Sequence, residues 1–292
     1  MHRRIFLCQA ALAFAAPARG RIVIVAGPTN HPPGTHEVAA GARLLQHCLE
    51  HMTNVRGVRA DVFYEWPKDA AVLDSAASIV FIGDIFPPMR LADPPAILAS
   101  LGTLMARGCG ITCLHYATGL RADDVAADGE HPLLHWIGGY FATANRHHQS
   151  VAKVFPAATI TPATPKHPIA RGWREFTAAE EPYYQNYFGP NGNPMAAGVT
   201  ELATSMLPPE APRRETVAWC IERKDGGRGA GIVMPHFYRN WALEDMRRFI
   251  LNTIVWTAKL KVPGGGVQTA APDLAAFTPE SVEPKPRPAA KK

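Results

Sequence analysis

The chain has 292 residues, 47% apolar and 19% charged, the composition of a globular protein with a real core rather than a disordered or fibrous one. Its formal charge of +5 comes from scattered Lys and Arg, partly at the two ends of the chain. No basic stripe alternates with aromatics, which excludes a nucleic-acid footprint. Cys48, Cys109, Cys113 and Cys220 form no CxxC pair; those in apolar helix or strand patterns read as small buried hydrophobes.

The first residues read as an export signal. His2-Arg3-Arg4 is a basic start, Ile5 to Ala16 an apolar run too short to span a bilayer, and Ala16-Pro17-Ala18 a small-x-small cleavage site. The expected organisation is a signal peptide over 1–18, one domain over 19–262 and a disordered tail over 263–292, where Gly264-Gly265-Gly266 opens a stretch of Pro, Ala and charge without periodicity. The mature protein is then expected in the periplasm or outside the cell. No later run is long enough to span a membrane, so none is expected as a partner after cleavage.

Arg21 to Ala26 (RIVIVA) is a continuous apolar run, the mark of a central parallel strand. It ends in a loop of turn formers carrying His31 and His36. Thr35 is the expected N-cap of a helix from Glu37 to His51 whose inner face holds Ala40, Leu44, Leu45 and Cys48. Val58 to Tyr64 and Ser78 to Gly83 follow as strands, with Asp84 closing the second. Pro94 to Arg107 reads as a helix stopped by Gly108. Strands alternating with helices predict an α/β fold, a flavodoxin-like doubly wound, mostly parallel sheet with helices on both faces.

The next strand organises the rest. Gly110 to Gly119 (GITCLHYATG) is an apolar run that turns sharply at His115-Tyr116. Cys113-Leu114-His115-Tyr116-Ala117 has the small-x-X-x-small frame of a nucleophile elbow. His115 stands at its tip, where a metal, a proton or a substrate hydroxyl can be served but no ordinary acyl-enzyme formed. Residues 121–184 are poorly patterned and rich in His, Trp, Tyr and Glu, which suits a loop-rich covering insertion. Thr216 to Arg223 and Gly229 to His236 read as a hairpin, and Leu243 to Lys259 as the closing helix with Met246, Phe249, Ile250, Ile254 and Val255 inward.

Six segments in order then resemble the ThuA-like (trehalose-utilisation) family of the class I glutamine amidotransferase-like superfamily: THEVAAGARLLQHCLE, GCGITCLHYA, HWIGGYF, HPIARGW, EEPYY, and VAWCIERKDGGRGAGIVMPHFYRNW with the helix FILNTIVWTAKLKVP. They cover roughly residues 21 to 262. The resemblance implies the flavodoxin-like core and a link to sugar metabolism. It also exposes a departure. A working amidotransferase has Cys at the elbow tip and His-x-Glu after a late strand, whereas this chain has His115 and His236-Phe237-Tyr238. A glutaminase triad is therefore not expected, and Cys113 lies inside the strand, two residues before the turn. The family's Asn-Pro-His-Trp and Asp-Glu-Trp-Tyr read Asn145-Arg146-His147-His148 and Glu180-Glu181-Pro182-Tyr183 here.

His36, His115, His147, Glu181 and His236 all fall at strand ends or in covering loops. A first shell for Zn²⁺ or another divalent ion is expected from His36, His115, His147 and His236 with a carboxylate nearby. Without metal, His115, Glu181 and His236 suit acid–base catalysis. Asp84 and Asn240 are expected to bind hydroxyls, and Tyr116, Trp136, Tyr184 and Trp241 to contact sugar rings. The expected partner is a small-molecule carbohydrate, with a second copy of the chain left open and no nucleotide cofactor. Three readings stay open: an isomerase, lyase or hydrolase on keto-sugars or glycosides, a sugar-binding protein without catalysis, and a metal-dependent amidase or hydrolase.

Overall fold

The computed structural model describes residues 20–286; the signal-peptide assignment to 1–18 lies outside the described residues. Strand β1 (Gly20–Ala26) leads to helix α1 (Val38–Glu50), β2 (Val58–Phe63), a short α2 (Ala70–Asp74), β3 (Ala76–Ile82), α3 (Pro94–Ala106) and β4 (Gly110–Leu114). Then come β5 (Gly119–Arg121), α4 (Pro132–Ile137), β6 (Phe141–Thr143), β7 (Phe155–Pro162), β8 (Phe176–Glu180), β9 (Val199–Leu207), β10 (Arg213–Glu222), β11 (Arg228–Ile232) and α5 (Glu244–Thr257).

Nine strands form one mixed sheet in the order β2-β1-β3-β4-β11-β10-β9-β7-β8. The first five pair in parallel, and β11 onward pair antiparallel. The parallel half has the 2-1-3-4-5 order of flavodoxin-like folds, with its switch point between β1 and β3. That half agrees with the sequence. The antiparallel extension β7–β9 is new. β7 buries Phe155, Ala158 and Ile160 and leaves Pro156, Ala157 and Thr159 exposed. Alanines on both faces flatten that alternation, which is why it does not read as a strand. The covering segment is thus partly sheet.

β1 is buried along almost its whole length because it is paired on both edges. α1 buries Ala40, Leu44, Leu45 and Cys48 as expected, but Thr35 does not cap it. Thr35 Oγ1 donates to the Pro32 carbonyl, and Glu37 occupies the cap without a side-chain cap bond. α5 is buried on nearly all sides. Its Thr257 hydroxyl meets Ser78 and Thr112 on β3 and β4, at 3.0 Å each. β4 passes so close beneath that a Cβ on Gly110 would lie 2.2 Å from the Thr257 carbonyl oxygen. The four cysteines of the described residues, Cys48, Cys109, Cys113 and Cys220, are free and buried, as small hydrophobes should be.

The expectation of disorder over 263–292 is corrected for 263–286. Val267 and Leu274 are buried. Asn252 on α5 accepts from Val267 N at 2.7 Å, and Arg43 on α1 donates to the Phe277 carbonyl at 2.6 Å. The segment has no period because bonds from other elements hold it, not a pattern of its own. Residues 287–292 lie outside the described residues. Among the described residues no helix is long and apolar enough to cross a membrane.

Candidate functional site

In a parallel sheet the loops at the C-terminal strand ends converge, and ligands collect there at the switch point. Here the loop after β1 supplies His31 and His36, the end of β3 supplies Asp84, the elbow after β4 supplies His115, and the turn after β11 supplies His236. Glu180 and Glu181 enter from the end of β8, with Tyr183 just beyond. His36 and His115 both hold positive φ, at 42° and 48°. A non-glycine residue adopts that region only when its surroundings fix it, and such positions gather at functional sites.

Four side chains meet at one point. His36 Nε2, His115 Nε2, His236 Nδ1 and a Glu181 carboxylate oxygen all lie within 4.8 Å of one another. His36 Nε2 is 2.8 Å from His115 Nε2 and 2.9 Å from His236 Nδ1. His236 Nδ1 is 3.3 Å from His115 Nε2 and 3.1 Å from Glu181 Oε2. Tyr183 reaches His115 Nε2 with its hydroxyl at 3.1 Å.

The outer nitrogens decide what the inner ones offer. His36 Nδ1 donates to Asp84 Oδ1 at 2.6 Å, and His115 Nδ1 donates to the Val233 carbonyl at 3.0 Å. In a neutral imidazole one nitrogen carries the proton and the other a lone pair. The two Nε2 atoms therefore turn lone pairs at each other with no proton between them. Burial keeps both rings neutral: it lowers the His36 pKa to about 4, against the pull of Asp84. It holds His115 well below the ordinary histidine range, with the neighbouring His36 and His236 adding to the effect.

The surroundings fix this geometry. Asp84 also accepts from His31 Nδ1 at 2.7 Å. Burial raises its pKa, but the bonds from His31 and His36 outweigh burial and hold the carboxyl below its ordinary range. His31 stacks on His36, ring centroids 3.6 Å apart. Glu180, fully buried, accepts from His236 N at 2.8 Å, Glu181 N at 2.7 Å and Asn240 Nδ2 at 2.8 Å. One carboxylate thus fixes the backbone of two of the converging residues. Burial pushes its pKa up while those three donors oppose the rise. Burial also raises the Tyr183 pKa well above the ordinary range, so its hydroxyl keeps its proton.

The donor set fits a divalent ion. Three imidazoles and one carboxylate are borderline ligands suited to Zn²⁺ and its neighbours. Ligand atoms about 2.1 Å from a tetrahedral centre stand about 3.4 Å apart; the separations here run from 2.8 Å (His36–His115) to 3.7 Å (His115–Glu181), so the two His36 distances would have to open to admit an ion. His36 and His115 each give their second nitrogen to a carboxylate or carbonyl, the usual support of a metal-bound histidine.

His36, His115, His236 and Glu181 are brought together as the sequence suggests, but other candidates move. His147 is not in the cluster: its Nε2 bonds the Tyr140 hydroxyl at 2.7 Å, and its ring meets Tyr187. Glu181 is the fourth donor instead. Trp136 lies on α4, with its carbonyl against Gly229 at the far end of β11, and cannot meet a ligand at the site. Tyr184 is buried in the insertion, paired with Val151 and near Phe155. Asn240 spends its amide nitrogen on Glu180 and the Ala179 carbonyl, and Asp84 accepts from two histidines. Tyr116 stays at the mouth, half-buried, edge-on to His31 and His36. Trp241 lines a small cavity beneath His36, His115 and His236. The sequence missed His31, Glu180 and Tyr183 as working residues. His31 carried a signal in its place on the loop after β1; Glu180 and Tyr183 needed the fold of the insertion.

Comparison with known proteins gives the fold class. No protein-family profile matches the chain, and no curated protein does. Among solved structures, a protein from Bacteroides uniformis described as ThuA-like superposes with a TM-score of 0.60 at 14% identity, covering 85% of this chain and 95% of that one. A carbohydrate deacetylase superposes at 0.50 with 10% identity over 82% of this chain, which spans about a third of the deacetylase (32%). A glutamine amidotransferase from Thermotoga maritima gives 0.39 at 8% identity over 82% of this chain and 90% of that one. The chain has the fold of the ThuA-like protein, as its motifs imply.

Proposed function

We propose that this protein is a divalent-metal-dependent enzyme acting on a carbonyl-bearing sugar. The observation that carries the reading is the pair of unprotonated imidazole nitrogens of His36 and His115, 2.8 Å apart and joined by His236 and Glu181. The Tyr183 hydroxyl reaches His115 Nε2 at 3.1 Å and serves one of these lone pairs, whereas a divalent ion would serve all four converging donors at once. His36, His115, His236 and Glu181 would hold the ion, which would supply Lewis acidity toward a substrate carbonyl.

The chain's own residues do the rest. Glu181 is the partly exposed carboxylate of the cluster, its side chain 15% accessible; Oε2 is the oxygen against His115 and His236, so the other oxygen would take the proton from carbon beside the carbonyl. Tyr183 keeps its proton and can donate toward developing negative charge. Asp84, Val233 and Glu180 hold the rings and the backbone of the ligands in place. The keto-sugar assignment draws on the resemblance to ThuA-like proteins; the carbohydrate deacetylase of similar fold adds a second link to sugars.

The test is proton exchange. The protein is incubated in D₂O with a panel of keto-sugars and matched non-oxidised sugars, and exchange at the carbon beside the carbonyl is followed by NMR. Exchange confined to the keto-sugars, abolished by chelation and restored by Zn²⁺, is the expected result. Cleavage of N-acetylated sugars without any such exchange would replace this reading with metal-dependent amide hydrolysis.

A further inference from the structure

A second concavity opens on the same edge of the sheet. It is a groove of about 1030 Å³ between the ends of β1 and β2 and the start of α3. Its wall at Gly27-Pro28 begins the loop that carries His31 and His36. Asp84 N donates to the Pro28 carbonyl and Asn30 N to Asp84 Oδ2, at 3.0 Å each. Groove and centre therefore share one loop, which Asp84 holds from the side of the centre.

The lining has a definite chemistry. Tyr64 and Trp66 contribute aromatic rings, and Tyr64 is 51% exposed, unusual for so large a side chain. Arg43 holds the Tyr64 hydroxyl at 3.1 Å and is itself anchored on the Phe277 carbonyl, so the ring is kept at the rim. The lining charges balance in number, Lys68 and Arg90 against Glu65 and Asp93. Arg90 is paired with Asp124 at 2.7 Å, and the Asp93 carboxylate already caps α3 through Ala96 N. An anionic ligand would find that helix end taken. Ring faces among balanced polar groups suit a neutral polyhydroxylated ligand, and the volume is that of a site for more than one ring.

We infer that this groove binds a neutral oligosaccharide, seating the rings next to the one presented at the His36–His115–His236–Glu181 centre. The inference rests on the proposed sugar chemistry of that centre and adds the length and charge of the ligand. The test screens the full chain on an array of neutral oligosaccharides, from monosaccharides to hexasaccharides, against Tyr64→Ala, Trp66→Ala and His115→Ala. Expected is binding that rises with chain length and weakens about tenfold in Tyr64→Ala and Trp66→Ala, while metal content stays as in the wild type. Trp66 is half-buried, so the exposed Tyr64 gives the deciding variant, with its melting temperature as control. No retained oligosaccharide, or retention unchanged in Tyr64→Ala, overturns the inference. Retention that survives in His115→Ala together with a metal-free wild type would instead overturn the metal reading and leave the groove standing.

Discussion

At the scale of single residues, the centre depends on where each ring keeps its proton. Asp84 is the key: it fixes the His36 tautomer and holds His31 against it through its two oxygens. Asp84→Asn keeps the shape but removes the charge and one acceptor. Metal affinity should fall about 10- to 100-fold, as loss of a supporting carboxylate does elsewhere, measured by competition with a chromogenic chelator. Unchanged affinity would mean that the Asp84 bond does not orient His36. Cys113, the cysteine of the elbow strand, lies fully buried in β4 with its thiol pushed well above the ordinary range by burial, the setting of a packed thiol rather than of an activated nucleophile.

At the scale of elements, α4 gives a pH prediction free of the centre. His131 caps this helix, its Nδ1 accepting from Leu133 N at 3.0 Å, and burial lowers its pKa to about 4 from an ordinary 6.5. The neutral ring makes the cap, so its stabilisation is complete above pH 6.5 and is lost as pH falls toward 4. The span amounts to about 3 kcal/mol. His131→Asn caps without titrating, so wild type minus variant, by denaturant unfolding across that window, should show the slope; parallel curves would contradict it. Gly110→Ala on β4 should destabilise by about 1–3 kcal/mol in the same assay, because the new methyl meets the end of α5; an unchanged midpoint would show that α5 can yield. The elements also show what the sequence could carry. β1, β3, β4 and α1 were legible because each is apolar in one period and buried in one way. β7 and β8 were not, since alanine and threonine blur alternation at a sheet edge. With them went the positions of Glu180 and Tyr183 and the exclusion of His147 and Tyr184.

At the scale of the whole molecule, residues 263–286 tie the two ends of the fold to the centre. Glu280 N and Ser281 N donate to Glu37 at 2.9 and 3.0 Å, and Lys285 N donates to the Pro33 carbonyl at 2.9 Å. These bonds clamp the loop bearing His36. Truncation after Val262 should cost at least about 2 kcal/mol through lost burial of Val267 and bonds to Asn252. It should also weaken metal binding, although no ligand is removed. A truncated chain with full stability and full affinity would show that the segment packs without supporting the site. Its lack of sequence period hid this role, because tertiary bonds alone hold it.

The central claim is that His36, His115, His236 and Glu181 hold a divalent ion. Elemental analysis of the purified protein, run beside His36→Ala and His115→Ala after Zn²⁺ loading and desalting, tests it most directly. The account expects about one metal ion per chain in the wild type and loss of that ion in both variants. A wild type that retains no metal after loading, or variants that retain as much as the wild type, would contradict it.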